Sequence, residues 1–237
     1  MAPAMQSAPA QNRLLAALSR EEYERLAPYL EAARFRKGEV LYEANDPVRY
    51  AFFPSSGIVS LTLSTEDGET IEVGMVGNEG VTGLPVILRT DRTPYRVTAQ
   101  LPVDATRIKA EPLKSMFDRG GRFQHLLLSY THVLFTQVAQ SALCNRFHSV
   151  EQRLCRWLLT ARDRTQSNHF DFTHEFISQM LGAPRTGVSA AAGALQHTGS
   201  IHYRRGRMTI IDWRRLEAGS CECYRVIKEE LNYFLAA

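Results

Sequence analysis

Residues 173–211 read THEFISQMLGAPRTGVSAAAGALQHTGSIHYRRGRMTII, and this stretch decides the fold. Thr173 is a good helix N-cap, because its hydroxyl can accept from an otherwise unpaired backbone N–H. The following run is apolar at helical spacing, and Gly182 stands where a helix stops in a left-handed residue. Pro184 is placed to open a second helix, where its missing N–H is harmless. That helix, Arg185 to His197, is rich in small residues. Helix, tight glycine turn, helix is the helix-turn-helix layout. Beyond it, Ile201 to Ile211 places β-prone flanks around an Arg205-Gly206 tip, which predicts a short hairpin beside the second helix. Arg185, Arg204, Arg205 and Arg207 would supply phosphate anchors and one base reader.

The charge distribution singles out the same region. The chain has 237 residues and a formal net charge of +3. Residues 1–147 carry 16 basic and 16 acidic side chains. Residues 148–215 carry ten arginines, no lysine and five acids, a net +5, and residues 216–237 a net −2. Arginine is suited to phosphate and base-edge contacts. Hydrophobic residues make up 44% and charged residues 22%, which excludes wholesale disorder.

Upstream, Asn12 to Ala33 reads as helix, with Ser19 and Glu22 as a capping box that restarts it. From Phe35 the period changes. Val40–Tyr42, Tyr50–Phe53, Ile58–Leu63, Thr70–Met75 and Arg96–Ile108 are short β-prone runs separated by turn residues, the pattern of a sandwich or barrel. Between Arg122 and Arg146 there is no charged residue. Gln124, His125, Ser129, His132, Gln137, Gln140 and Ser141 interrupt the run too often for a membrane span. Leu127, Leu134 and Ser141 form one stripe, and Leu128, Phe135 and Ala142 the adjacent one. A helix apolar on two faces packs on two sides, here on its own barrel and on a second copy of itself. Ser149 to Arg164 and Glu222 to Leu235 are further amphipathic helices. The first ten residues have no positive n-region or apolar h-region and read as a flexible leader.

A strand-rich domain, a long uncharged helix and a winged helix-turn-helix, in this order, resemble the CRP/FNR superfamily of bacterial transcription regulators. The likeness runs from about Asn12 to Ile211. It is carried by Arg36-Lys37-Gly38-Glu39-Val40-Leu41, Phe53-Pro54-Ser55-Ser56-Gly57, Val76-Gly77-Asn78-Glu79-Gly80 and Met180-Leu181-Gly182-Ala183-Pro184-Arg185, weak singly and strong in their order. Within the superfamily the chain looks like the group with a Tyr-Arg-Arg-Gly-Arg wing (Tyr203–Arg207) and a Cys-Glu-Cys-Tyr tail (Cys221–Tyr224). The resemblance implies an α+β fold. A flexible leader (1–11) precedes a cyclic-nucleotide-binding-like β-barrel of jelly-roll type (12–117), a dimerisation helix (118–147), a winged helix-turn-helix (148–215) and a C-terminal helix (216–237).

It also implies partners: double-stranded DNA with palindromic half-sites, a second copy of the chain, and RNA polymerase, in the cytoplasm and away from membranes. The family's base readers fall on Arg185, Thr186 and Ala190, and Ser189 could supply a hydrogen bond that Ala190 cannot. With His202, Tyr203, Arg204, Arg205 and Arg207 these form the candidate DNA surface. In cyclic-AMP-binding members a Gly-Glu pair and an Arg-Ser or Arg-Thr pair hold the phosphate. Here Gly77-Asn78-Glu79 resembles the first with an insertion, whereas the second falls on Thr93-Pro94. The phosphate clamp is therefore expected to be missing. Gly77, Asn78, Glu79 and Gly80, with Arg92 or Arg96 as substitute anion ligand, are the candidate effector pocket, its effector unknown.

Other chemistries lack their residues. No cysteine precedes Cys144, against an N-terminal iron–sulfur cluster, and no histidine precedes His125, against a barrel haem or a metal-dependent barrel enzyme. Cys221 and Cys223, one residue apart and followed by no further Cys or His, do not close a tetrahedral site on their own. Cys144 and Cys155 read as small buried hydrophobes. No metal, cofactor or catalytic group is expected.

Overall fold

The computed structural model describes residues 12–236, and the expected leader at 1–11 lies outside them. Asn12 caps α1 (Arg13–Ala16), its side-chain oxygen accepting from the Leu14 and Leu15 amides. Ser19 and Glu22 close the expected capping box on α2 (Arg20–Leu26). The helix does not reach Ala33 as expected. Pro28 lies in a single 3-10 turn at Ala27–Tyr29, and Glu31–Phe35 forms β1, paired with a later strand at Val103–Lys109. Long-range pairing outweighs local helical spacing here.

The remaining barrel strands are β2 (Val40–Tyr42), β3 (Tyr50–Pro54), β4 (Val59–Ser64), β5 (Thr70–Val76), β6 (Arg96–Ala99) and β7 (Val103–Lys109). They form two antiparallel sheets, ordered β1-β7-β3 and β2-β6-β4-β5. Both sheets contribute to one core, in which Phe53, Val76, Val97 and Ile108 are wholly buried. A helix not anticipated from the pattern, α3 (Ala110–Asp118), adds Leu113, Met116 and Phe117 to that core. Gly120 and Gly121, both at positive φ, then break the chain before the long helix α4 (Gly121–Phe147). Its residues Phe123, Leu126, Leu127 and Tyr130 enter the barrel core. Gly80 makes room for Tyr130, since a Cβ there would sit 2.0 Å from the tyrosine hydroxyl.

The second core is built on α5 (Val150–Thr165), which starts at a Ser149–Gln152 capping box and buries Leu154, Trp157, Leu158 and Leu159. Around it lie β8 (His169–Phe170), α6 (His174–Leu181), α7 (Arg185–His197), β9 (Ile201–Arg204), β10 (Arg207–Ile210) and α8 (Trp213–Ala218). The sheet order is β8-β10-β9. The last helix, α9 (Glu222–Ala236), returns to α4 and sets Phe234 5.9 Å from the Tyr130 ring.

The two cores touch. Ile58 and Met75 of the barrel belong to the second apolar cluster. Gly182, in the left-handed region at φ +53°, ends α6 so close to β5 that a Cβ would meet Ile71 Cδ1 at 2.6 Å. Two polar ties cross the seam. Glu72 of β5 accepts from Trp157 Nε1 at 2.9 Å, Gln100 Nε2 at 3.0 Å and Ser60 Oγ at 2.5 Å. The second tie joins Glu79, after β5, to Arg164 of α5 at 2.8 Å, both side chains at most 5% exposed. Arg164 also donates to Gln137 Oε1 of α4 at 2.7 Å, and Gln137 donates to the Met75 carbonyl at 3.3 Å.

Two expected outcomes follow from the ties. Burial pushes the Glu72 carboxyl up to about 7, above its ordinary value, against the pull of its hydrogen bonds and of Arg156 and Arg164. The folded chain thus holds the Glu72 proton more tightly than the unfolded chain. This contribution to stability is full below the unfolded value and is lost as pH rises toward 7. In Glu72→Gln the new amide can meet Gln100 Oε1, which lacks a partner. Thermal midpoints measured across that range should show a Glu72-dependent fall in the wild type that Glu72→Gln removes. Arg164→Met leaves Glu79 as an uncompensated buried charge and should cost about 3–5 kcal/mol in denaturant unfolding.

Candidate nucleic-acid interface

The site begins with two helix ends. Thr173 Oγ1 accepts from the Phe176 amide at 3.1 Å and starts α6. Gly182 ends it, and Pro184, at the cap rather than inside the helix, fixes the entry to α7. Val188, Ala191, Ala192 and Leu195 point α7 inward and are buried. This leaves Arg185, Thr186, Ser189 and Ala190 on the exposed face. Small side chains there keep the helix slim, a shape that a groove about 12 Å wide admits.

The hairpin tip is Arg205-Gly206, both at positive φ, as a two-residue turn matched to strand twist requires. Arg204, Arg205, Arg207 and His202 are exposed. Arg185 and Arg207 have only distant acidic neighbours, Glu175 at 3.8 Å and Asp171 at 3.7 Å, with the arginine side chains 70% and 85% exposed. Such pairs are weak in water and leave both guanidinium groups available to phosphate.

Two candidate residues are engaged within the chain. Tyr203 stacks on His174, ring centroids 4.1 Å apart and planes at 16°, and Ser189 Oγ lies 2.9 Å from His174 Nδ1. His174 therefore joins α6, α7 and the hairpin. Burial, and next to it the charge of Arg185, holds this imidazole below its ordinary value. Ser189 is less free to read a base than expected, because its hydroxyl is paired inside the protein. The stack depends on two segments 29 residues apart meeting in space, and no local spacing reports it.

The candidate effector residues do not assemble as expected. Glu79 turns back on its own turn, accepting from the Gly77 amide at 3.0 Å and from Arg164. The Asn78 carbonyl accepts from the Arg13 amide at 2.7 Å, and the Gly80 carbonyl from Asn12 Nδ2 at 2.8 Å. Asn78 and Glu79 line a cavity of about 210 Å³ with Arg13, Arg164 and Lys228. Arg96 instead pairs with Glu43 at 2.9 Å and lines a separate cleft of about 350 Å³ with Lys37, Thr98, Gln100, Phe176 and Met180. Arg92 is exposed and lines neither. The six residues fall in three places: Gly77–Gly80 in one turn whose polar groups are paired with α1 and α5, Arg96 in the separate cleft, and Arg92 at the surface apart from both.

On α4, Leu127 and Ser141 are buried and Leu134 is half-buried against Gly74, so this stripe faces the chain's own barrel. Leu128 and Ala142 are exposed, and Phe135 is 70% exposed. Among the described residues no helix is long and apolar enough to cross a membrane.

Comparison with known proteins gives the same division. Residues 32–119 match the model of the cyclic nucleotide-binding domain, and residues 152–218 that of the Crp-like helix-turn-helix domain. The chain is 22% identical over 193 residues to the global nitrogen regulator of Synechococcus elongatus, covering 77% of this chain and 86% of that protein. The fold is similar to that of FixK2 from Bradyrhizobium japonicum, with TM-score 0.70 and 17% identity over 81% of this chain and 98% of that one. It is also similar to CLP of Xanthomonas campestris, titled a c-di-GMP responsive global regulator, with TM-score 0.68 and 16% identity over 81% and 99%. A nucleotide-binding-type barrel followed by a Crp-like helix-turn-helix, matched in sequence and in fold, makes this chain a member of the CRP/FNR superfamily of transcriptional regulators.

Proposed function

We propose that the chain regulates transcription as a twofold homodimer that binds a palindromic DNA site through α7 and the β9–β10 wing. The observation that carries this reading is the exposed surface shared by the N-terminal end of α7 and the arginine-rich wing. It is rigidly joined by the His174–Tyr203 stack. α7 would enter the major groove, with Arg185 over a guanine edge and Thr186 and Ala190 beside it. Arg204, Arg205 and Arg207 would hold flanking phosphates. Two copies related by a dyad favour half-sites roughly 10 bp apart. The partner helix would cover the stripe of Leu128, Phe135 and Ala142, whose seven-residue repeat suits helix pairing. Contact with RNA polymerase would follow from a site placed near a promoter.

The barrel would not read cyclic AMP in the family's phosphate-clamp manner. Glu79 is held by Arg164, and Arg92 and Arg96 lie away from it. A second reading, regulation by another small effector, is favoured by the cleft that Arg96 and Lys37 share with Phe176 and Met180 of α6. A ligand there would press directly on the helix-turn-helix.

Selection from random duplex DNA near 150 mM salt, without added ligand, should enrich a palindrome. Arg185→Ala should relax base choice at one position per half-site, at a cost of about 1–3 kcal/mol to the preferred site. Arg205→Ala should weaken specific and random DNA alike and lower the salt slope by about 0.9 per chain. Equal effects of both variants on both DNAs would refute the assignment. Phe135→Glu with Leu128→Glu should give monomers by light scattering and abolish palindrome binding, with the thermal midpoint of the chain little changed.

A further inference from the structure

Three of the four cysteines meet a histidine where the two halves of the chain join. Cys144 lies in the last turn of α4 and His148 is its C-cap. Cys221 and Cys223 flank the first residue of α9. No Cys or His follows Cys223 in the sequence. The partners of both cysteines lie upstream, 77 residues from Cys221 and 75 from Cys223. The geometry points to a mononuclear zinc site with Cys144, His148, Cys221 and Cys223 as its four ligands.

The spacing fits one ion. All four ligand atoms lie within 4.8 Å of one another. Cys144 Sγ and Cys221 Sγ are 3.5 Å apart, and Cys223 Sγ is 3.6 Å from His148 Nδ1. A tetrahedral zinc, with bonds of about 2.3 Å to sulfur and about 2.0 Å to nitrogen, separates its ligand atoms by roughly 3.5–3.8 Å. An iron–sulfur cluster interposes several atoms between its thiolates and needs a wider cage. Four ligands in a buried setting describe a closed structural site rather than a catalytic one.

Two features around the cluster point the same way. With Nδ1 facing the thiols, His148 Nε2 lies 3.3 Å from Glu222 Oε2. A carboxylate on the far nitrogen is what orients a metal-bound imidazole and fixes its tautomer. The second feature is charge. Of the four arginines of α5, Arg162 and Arg164 have carboxylate partners. Arg153 and Arg156 are each 7% exposed, and among the described residues neither pairs with a carboxylate and the Nε of each has no partner. Both lie within the field of the Cys144 sulfur. Three thiolates, a neutral imidazole and Zn²⁺ sum to one negative charge, which would offset part of the charge of these two buried cations. The three thiol protons would pass to solvent as the metal binds. A zinc here ties the α4–α5 hinge to the start of α9, and so fixes how the helix-turn-helix is carried on the long helix.

The test uses the full chain, reduced and freed of metal, titrated with Co²⁺ and then Zn²⁺. The expected result is the absorption of tetrahedral cobalt with sulfur-to-cobalt charge transfer. It should saturate at one equivalent and be displaced by one equivalent of zinc. Cys223→Ser and His148→Ala should each weaken cobalt binding at least about tenfold, while Cys155→Ala leaves it unchanged. His148→Cys retains four ligands and should bind one cobalt with stronger charge transfer, which keeps the test decisive if Cys223→Ser does not fold. The proposal is overturned by the absence of a tetrahedral spectrum at stoichiometric cobalt. Equal affinity in all variants, or a Cys144–Cys221 disulfide that persists in reductant, would overturn it as well.

Discussion

The buried pair of Glu79 and Arg164 is the constraint on which the arrangement of the chain depends. A carboxylate and a guanidinium removed from water carry a large desolvation cost, and only close geometry with further hydrogen bonds offsets it. The pair obtains those bonds from two groups. Gly77 holds Glu79, Gln137 of α4 holds Arg164, and Gln137 in turn holds the Met75 carbonyl at the end of β5. Barrel, long helix and helix-turn-helix therefore share one polar knot, and none can move far without leaving a charge unpaired.

The same knot reshapes the turn after β5. Its acidic side chain faces α5 and its carbonyls face α1. The turn after β5 and the first helix of the second half of the chain are thus bonded directly to each other. The Glu72–Trp157 hydrogen bond and the close approach of Gly182 to Ile71 lie along the same seam.

Much of the architecture could be read from local pattern. The Thr173 cap, the Gly182 stop, the Arg205-Gly206 tip and the short β-prone runs each have a physical cause confined to a few residues, and each element stands where its cause puts it. The reading failed where distant segments compete. Glu31–Ala33 has helical spacing yet pairs with β7, whereas α3 carries a helical signal of its own in Leu113, Met116 and Phe117, one face of a short helix that packs on the barrel. Ser189 and Tyr203 were visible as candidates, but not their shared partner His174.

The sequence by itself determined the order of parts, the helix-turn-helix with its wing and the concentration of arginine in one segment. These rest on caps, turns, composition and spacing, which act over neighbouring residues. Tertiary structure alone decided that Glu79 faces Arg164, that Arg92 and Arg96 stand apart from it, and that Leu127 turns inward while Phe135 faces outward. It alone brought Cys144 and His148 to Cys221 and Cys223. Those outcomes depend on which surfaces meet across tens of residues, and no short-range rule encodes such meetings.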